Sequence, residues 1–359
     1  MGSIDKLKEL EEELGRTQKN KATEFHIGIL KSKIAHLKKA IAAPKRTGIS
    51  TASFDVKKSG DATVVFIGLP STGKSTTLNA LTGAKSKTAA YHFTTLTVVP
   101  GALDYRGAKI QLLDLPGIVA GAKEGTGRGK EVLAVASNAD LILLTLDVFD
   151  PLYQPKLISE LEGIGIRVDQ SPPNVLIHPK LRGGVNIHST VALTHLNERM
   201  VTGILHEHGI HNGEVMLRQD VTVDQFIDVL VGTRKYIPSL SVLNKIDLVQ
   251  PAFLKNIPYA YVPISAEKNT GVEELKEAIW EKLKLIRLYT KRRNEDADSV
   301  PMMMRTGSSV GDMCDRLHRD LRKLFRYAQV WGKSAKFPGQ KVGLEHILVD
   351  GDVVCVYKR

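Results

Sequence analysis

The sequence predicts an α/β protein built on a parallel sheet, with helices ahead of it, a small α/β insertion within it and a small α+β domain behind it. Three observations carry this. From residue 63 onward, short apolar and β-branched runs at 63–67, 108–113, 141–146 and 240–243 alternate with helical stretches and glycine turns, the pattern of buried parallel strands. A complete phosphate-loop pattern, Gly68-Leu69-Pro70-Ser71-Thr72-Gly73-Lys74-Ser75, falls where the first strand ends and a helix begins. The stretch between Asp150 and Lys235 is too long for a bare connection and carries its own strand and helix patterns.

Composition supports a folded chain. Of 359 residues, 42% are hydrophobic and 25% charged, which excludes wholesale disorder, a collagen-like fibre and a membrane bundle. The longest strongly apolar run, 141–146, is far short of the ~20 residues a membrane helix needs. Residues 1–14 are charged and helix-patterned without an apolar signal region, so the cytoplasm is the expected location. The two cysteines, Cys314 and Cys355, read as reduced core thiols.

The net charge of +11 is unevenly placed. Residues 1–60 hold 13 Lys and Arg against 7 Asp and Glu, residues 284–359 hold 16 against 9, and residues 61–283 hold 21 against 23. Basic arms on a neutral centre suit a polyanion, with RNA the leading candidate, although solvated lysine faces would give the same balance.

Taken in order, Ile4, Leu7, Leu10 and Leu14 recur at helical spacing, and Ile27, Leu30, Ile34, Leu37 and Ile41 follow after a break. This predicts an N-terminal helical hairpin over 1–46 with its own apolar seam, stopped at Pro44 and followed by a polar linker to residue 60. The nucleotide domain is expected over 61–288 and its insertion over 169–235, with strands near 174–177 and 185–189 and helices near 196–206 and 223–231. The tail, 289–359, predicts a strand at 301–304, a helix over 310–324 and β-rich segments to the end.

The phosphate loop has a mechanical reason for its spacing. Glycines let backbone N–H groups close on phosphate oxygens, the helix N-terminus adds positive dipole, Lys74 meets the β- and γ-oxygens, and Ser75, followed by Thr76, supplies a Mg²⁺ ligand. Asp114-Leu115-Pro116-Gly117 follows the 108–113 strand, which places Asp114 at a carboxyl edge to hold the Mg²⁺ shell and Gly117 where its N–H can sense a γ-phosphate. Asn244-Lys245-Ile246-Asp247 follows another strand. An aspartate there accepts from both guanine N1–H and the 2-amino group, so Asp247 selects GTP over ATP. Ser265-Ala266 completes the base pocket.

The run Tyr91-His92-Phe93-Thr94-Thr95-Leu96 ahead of Asp114 to Gly117, with a glycine-rich stretch to Gly129, resembles the Obg class of translation-associated GTPases. Closer still, residues 107–117, Val242 to Asp247 and Tyr327-Ala328-Gln329-Val330-Trp331-Gly332 resemble the developmentally regulated GTP-binding protein (DRG) family, over nearly the whole chain. The resemblance implies a P-loop GTPase domain with an N-terminal helical region, an insertion similar to a ribosomal protein S5 domain and a C-terminal TGS domain of β-grasp fold. It implies GTP hydrolysis with Mg²⁺, Lys74, Thr95 and Gly117 acting at the γ-phosphate, and Ser75 and Thr95 on the metal, with Thr94 the alternative threonine. It also implies contact with ribosome, rRNA or tRNA, a regulatory protein partner, and a monomer when free.

Ile118 stands where Ras-like enzymes place a water-orienting glutamine, so intrinsic hydrolysis is expected to be slow. Related enzymes recruit K⁺ through a phosphate-loop asparagine, but Ser71 occupies that position here, which leaves K⁺ open. His206, His208 and His211 fit no zinc spacing and read as insertion-specific histidines. Arg316, Arg319, Arg322, Lys323 and Arg326 crowd the predicted tail helix beside Phe325, Tyr327 and Trp331, and are the candidate RNA contacts. The expected function is a GTP hydrolase whose nucleotide state regulates contact with the translation machinery; the alternative is an RNA or ribosome adaptor holding GTP as a structural ligand.

Overall fold

The computed structural model describes residues 3–42, 60–83, 91–92, 97–115, 135–232, 234–293 and 295–358. The chain forms two compact units, residues 1–53 with 170–236, and residues 54–169 with 237–359.

The N-terminal segment is a helical hairpin, α1 (Ser3–Arg16) and α2 (Glu24–Ala42). Asn20 ends the turn by accepting the Ala22 and Thr23 N–H groups on its side-chain oxygen, both at 3.0 Å. The apolar stripe of α2 is not the hairpin's own seam alone: Phe25, Ile29 and Ala35 belong to the core of the insertion.

In the second unit, β1 (Ala62–Ile67) leads into α3 (Lys74–Thr82). Next come β2 (Tyr91–His92), β3 (Thr97–Tyr105), β4 (Ala108–Asp114) and β5 (Leu141–Asp147), then α4 (Gln154–Ile164) and the short β6 (Ile166–Val168). Every side chain of β1 is buried, because the sheet is covered on both faces. Phe66 and Leu143 lie at zero exposure on one side of it, Val65 and Ile142 on the other. Truncating Leu143 to alanine in such packing costs about 2 to 5 kcal/mol.

The chain leaves this unit after Asp169, whose carboxylate accepts the Ser239 N–H at 2.9 Å and the Ser239 hydroxyl, closing the stem of the insertion. The insertion holds β7 (Val175–Pro179), β8 (Val185–Ser189), α5 (Glu198–Glu207), β9 (Gly213–Leu217) and α6 (Val223–Val231). β9 lies between the other two strands, antiparallel to β7 and parallel to β8. Asn197 and Thr222 cap the two helices, accepting from Met200 and Gln225. Close approach of α2 is made possible by glycine: a Cβ on Gly203 would stand 3.0 Å from Ile29 and 3.2 Å from Phe25.

The chain returns through β10 (Lys235–Ile237) to β11 (Ser239–Asn244), α7 (Pro251–Leu254), β12 (Val262–Pro263) and α8 (Val272–Leu283). This completes a seven-stranded sheet in the order β12-β11-β5-β1-β4-β3-β2. β12, β11, β5, β1 and β4 pair in parallel, and only β3, antiparallel to both β4 and β2, is reversed, so the carboxyl ends of β1, β4, β5 and β11 share one edge.

The C-terminal domain contains β13 (Leu285–Thr290), β14 (Met302–Arg305), α9 (Val310–Leu317), β15 (Phe325–Trp331), β16 (Gln340–Val342) and β17 (Val353–Lys358), in sheet order β14-β13-β17-β15-β16. Val310, Met313 and Cys314 of α9 pack under Leu288, Ala328, Val330 and Val354. Both cysteines are buried and unpaired by disulfide. The predicted helix over 310–324 stops at Leu317. His318 is extended, its ring nitrogen takes the Asp320 N–H at 3.2 Å, and Leu321 folds back to 7% exposure in the domain core. No helix among the described residues is long and apolar enough to cross a membrane.

Candidate nucleotide site

The site forms where the carboxyl ends of β1, β4, β5 and β11 meet. Gly68 ends β1 against β5, and a Cβ there would strike the Thr145 carbonyl. Leu69, Pro70 and Ser71 carry the chain outward, with Ser71 at φ +65°, and Thr72 closes the turn by donating its hydroxyl to the Leu69 carbonyl at 3.0 Å. Gly73 has φ +83° and no room for a side chain, because a Cβ would strike Asn244 Nδ2. Thus both loop glycines are required by close approach, and Gly73 by its conformation as well.

Lys74 opens α3 and is 7% exposed, with its ammonium folded back on the Gly68 and Leu69 carbonyls at 3.1 and 2.7 Å. Burial holds its pKa below the ordinary lysine value, while Asp114 pulls it back up. Ser75 donates its hydroxyl to Asp114 Oδ2 at 2.5 Å. Thr76 is exposed one position on. Asp114 is 5% exposed at the end of β4, and its second oxygen, Oδ1, is buried without a hydrogen-bond partner among the described residues. Leu115 is fully buried beneath. Pro116, Gly117, Ile118, Thr94 and Thr95 lie outside the described residues.

Asn244 is the residue that joins the loops. Its Nδ2 donates to the Thr72 carbonyl at 2.9 Å, and its Oδ1 accepts from the N–H groups of Lys245 at 2.8 Å and Ala266 at 3.1 Å. One buried amide therefore sets the phosphate loop, the Asn244 to Asp247 segment and the Ser265-Ala266 segment at fixed distances. Lys245 takes φ +66° and stretches its ammonium to Asp147 Oδ2 at 2.6 Å. Ile246 packs below with Leu146 and Leu243. The Asp247 carboxylate is held below the ordinary aspartate range, first by the Ser265 hydroxyl and then by Lys268, whose ammonium is 3.3 Å away. An ionised aspartate so placed is an acceptor only, ready for two N–H donors.

The residues expected from the sequence at the phosphate loop, Asp114, Asn244 to Asp247 and Ser265-Ala266 thus converge within one constellation. Asp147 and Lys268 were not foreseen. Asp147 ends β5 as Asp114 ends β4, and that shared position is the signal that could have found it; nothing in the sequence pairs Lys268 with Asp247.

The candidate RNA contacts do not converge in that way. Arg316 alone is on α9, where it lies 3.4 Å from Asp61; Arg322 pairs with Asp315 at 2.5 Å and Lys323 with Asp320 at 3.7 Å in the following turns. Arg319 is in those turns too, and Arg326 is on β15. In the insertion, His206 and His211 have ring centroids 5.0 Å apart, whereas His208 meets His36 of α2 at 5.4 Å.

Residues 63–178 match the 50S ribosome-binding GTPase family, residues 182–285 the C-terminal region of that GTPase domain, and residues 286–358 the TGS domain. An uncharacterized GTP-binding protein of Methanocaldococcus jannaschii is 51% identical over 99% of this chain and 93% of its own length. Developmentally-regulated G-protein 3 of Arabidopsis thaliana is 47% identical over 99% of both chains, and Developmentally-regulated GTP-binding protein 1 of Xenopus laevis is 46% identical over the full length of both. With a GTPase domain, a TGS domain and full-length identity near one half, the chain belongs to the developmentally regulated GTP-binding protein family of GTP hydrolases.

Proposed function

We propose that this GTPase is a slow switch in which bound GTP, held with Mg²⁺, favours contact with ribosomal or transfer RNA in the cytoplasm and hydrolysis releases it. The observation that carries the nucleotide half of the reading is the pairing of Ser75 with Asp114. A hydroxyl and a buried carboxylate share one edge of the phosphate loop, and Asp114 Oδ1, without a partner among the described residues, is the acceptor a hydrated divalent cation would satisfy. Ser75 and Thr95 would hold the metal directly and Asp114 its water shell. When bound, Mg²⁺ neutralises charge shared between the β- and γ-phosphates.

The rest of the mechanism belongs to the chain. The phosphate-loop N–H groups and the start of α3 orient the triphosphate. Lys74 exchanges the Gly68 and Leu69 carbonyls for phosphate oxygens, so its buried charge gains a stronger partner. Asp247, with Ala266, reads guanine. Gly117 senses the γ-phosphate through its N–H, and water attacks in line with the leaving oxygen. Ile118 offers that water no hydrogen bond, which keeps the unassisted rate low. The basic C-terminal segment and the TGS domain support the RNA half. Co-sedimentation with ribosomes tests the reading: the protein should pellet with a non-hydrolysable GTP analogue and leave the pellet with GDP. Equal pelleting with analogue, GDP and no nucleotide would overturn it.

A further inference from the structure

The outer face of the C-terminal sheet, away from α9, gathers side chains from three strands and a connection, of which only Tyr327 and Trp331 share a segment. Tyr327 of β15 and Tyr357 of β17 are cross-strand partners and lie stacked, with ring centroids 4.6 Å apart and planes 16° from parallel. Tyr357 donates its hydroxyl to Gln329 Oε1 at 2.7 Å, which fixes the pair on the same face. Two positions along β15, Trp331 lies opposite Val353, and Gly339 passes beneath its ring, where a Cβ would stand 3.3 Å from the indole nitrogen. Tyr327, Trp331 and Tyr357 are half-buried, so each keeps part of its ring in solvent.

Cations surround these rings. Lys341 places its ammonium 5.1 Å from the Tyr327 centroid, Arg326 its guanidinium 5.9 Å from the same ring, and Lys291 its ammonium 4.5 Å from Trp331. No ion pair engages Arg326 or Lys341 among the described residues, and both are exposed. The five strands of this sheet contain Arg287, Arg305, Arg326, Lys341 and Lys358 and no aspartate or glutamate. Of these, Arg287 and Arg305 pair with Asp350 and Asp140, whereas Arg326 and Lys341 beside the rings do not; around α9, Arg316, Arg322 and Lys323 each face an acidic side chain of the same chain.

We propose that this aromatic and basic sheet face, centred on Tyr327, Tyr357 and Trp331 with Arg326, Lys341 and Lys291 at its rim, binds single-stranded RNA. A strand free of acids repels no phosphate, and rings already held in the plane of a stack offer a shelf to an unpaired base with little further ordering. The rim cations lie where a backbone running past the stacked bases would carry its phosphates. A duplex, whose bases are already stacked on each other, could use the cations but not the rings. The inference rests on the RNA half of the proposed function and moves its seat from the α9 arginines to the opposite side of the domain.

Fluorescence anisotropy of a labelled single-stranded RNA dodecamer of mixed sequence, titrated with the full chain in the presence of a non-hydrolysable GTP analogue, tests it. Tyr327→Ala and the double variant Arg326→Glu with Lys341→Glu should each weaken binding about tenfold or more, Tyr327→Phe should restore it, and GTP turnover should stay at wild-type level. Trp331 emission should be quenched on binding. Wild-type affinity in both weakened variants, with RNA binding otherwise intact, would overturn the assignment of this face and leave RNA contact elsewhere on the chain. Equal affinity for a duplex of the same length would remove the role of the rings. Absence of RNA binding by the wild type would overturn the broader reading with it.

Discussion

The nucleotide site and the C-terminal sheet face are assembled in opposite ways. At the phosphate loop, consecutive residues and their main-chain groups form the cradle, and a single amide, Asn244, holds three loops in place through hydrogen bonds of 2.8 to 3.1 Å. On the C-terminal face, side chains from Lys291, Tyr327, Trp331, Lys341 and Tyr357 come together from three strands and one connection, and only Tyr327 and Trp331 share a segment. The first kind of site tolerates almost no change in spacing and so leaves a motif. The second needs only the right side chains on one surface, so no single motif spans it.

If the two are independent in their chemistry, variants should separate them. The largest effect is expected at Ser75→Asn, which breaks the bond to Asp114 and crowds the metal position; GTP turnover should fall about a hundredfold. RNA binding without nucleotide should be unchanged in the same variant, and parallel loss of both activities would show that the sites are not separable. A smaller effect is expected from Asp247→Asn. Replacing an ionised acceptor by an amide should weaken GTP about tenfold and narrow its advantage over ATP, as measured by competition against labelled nucleotide.

A third contrast lies in the insertion, where neither site reaches. His208 has its Nε2 buried without a hydrogen-bond partner among the described residues, and burial first, then His36 and Lys39, push its pKa down to about 4. Above about pH 6.5 the histidine is neutral whether the chain is folded or not, so it costs nothing there. Between that value and about 4 the unfolded chain takes up the proton and the folded one does not, so stability falls with pH. Loosening of α2 and α5, followed by amide hydrogen exchange, should therefore increase from pH 7 to 4.5 by an amount reduced in His208→Gln. An identical pH response in the two proteins would remove His208 as the cause.

Much of the fold was legible because its signals are local. Six buried side chains in a row mark β1, and the glycine and lysine spacing after it marks the turn and α3. The turn proposed to read the base was legible for the same reason, since Asn244 and Asp247 are three residues apart on it. What failed to show was decided across the chain. The stop at Leu317 depends on His318 taking the Asp320 N–H and on Leu321 reaching the domain core, which a periodic pattern running to residue 324 conceals. The stripe on α2 was correctly apolar, but its partners, Met200 and Val223 beside Gly28, lie far along the chain in the insertion. The ion pair of Lys245 with Asp147 spans strands in the same manner.

Steady-state phosphate release from GTP and from ATP in the presence of Mg²⁺, for the wild type beside Lys74→Ala, tests most directly that this constellation is a guanine-specific hydrolytic site. Slow release from GTP, none above background from ATP, and loss of the GTP signal in Lys74→Ala are the predicted results. Release from ATP at the GTP rate, or undiminished turnover in Lys74→Ala, would contradict it.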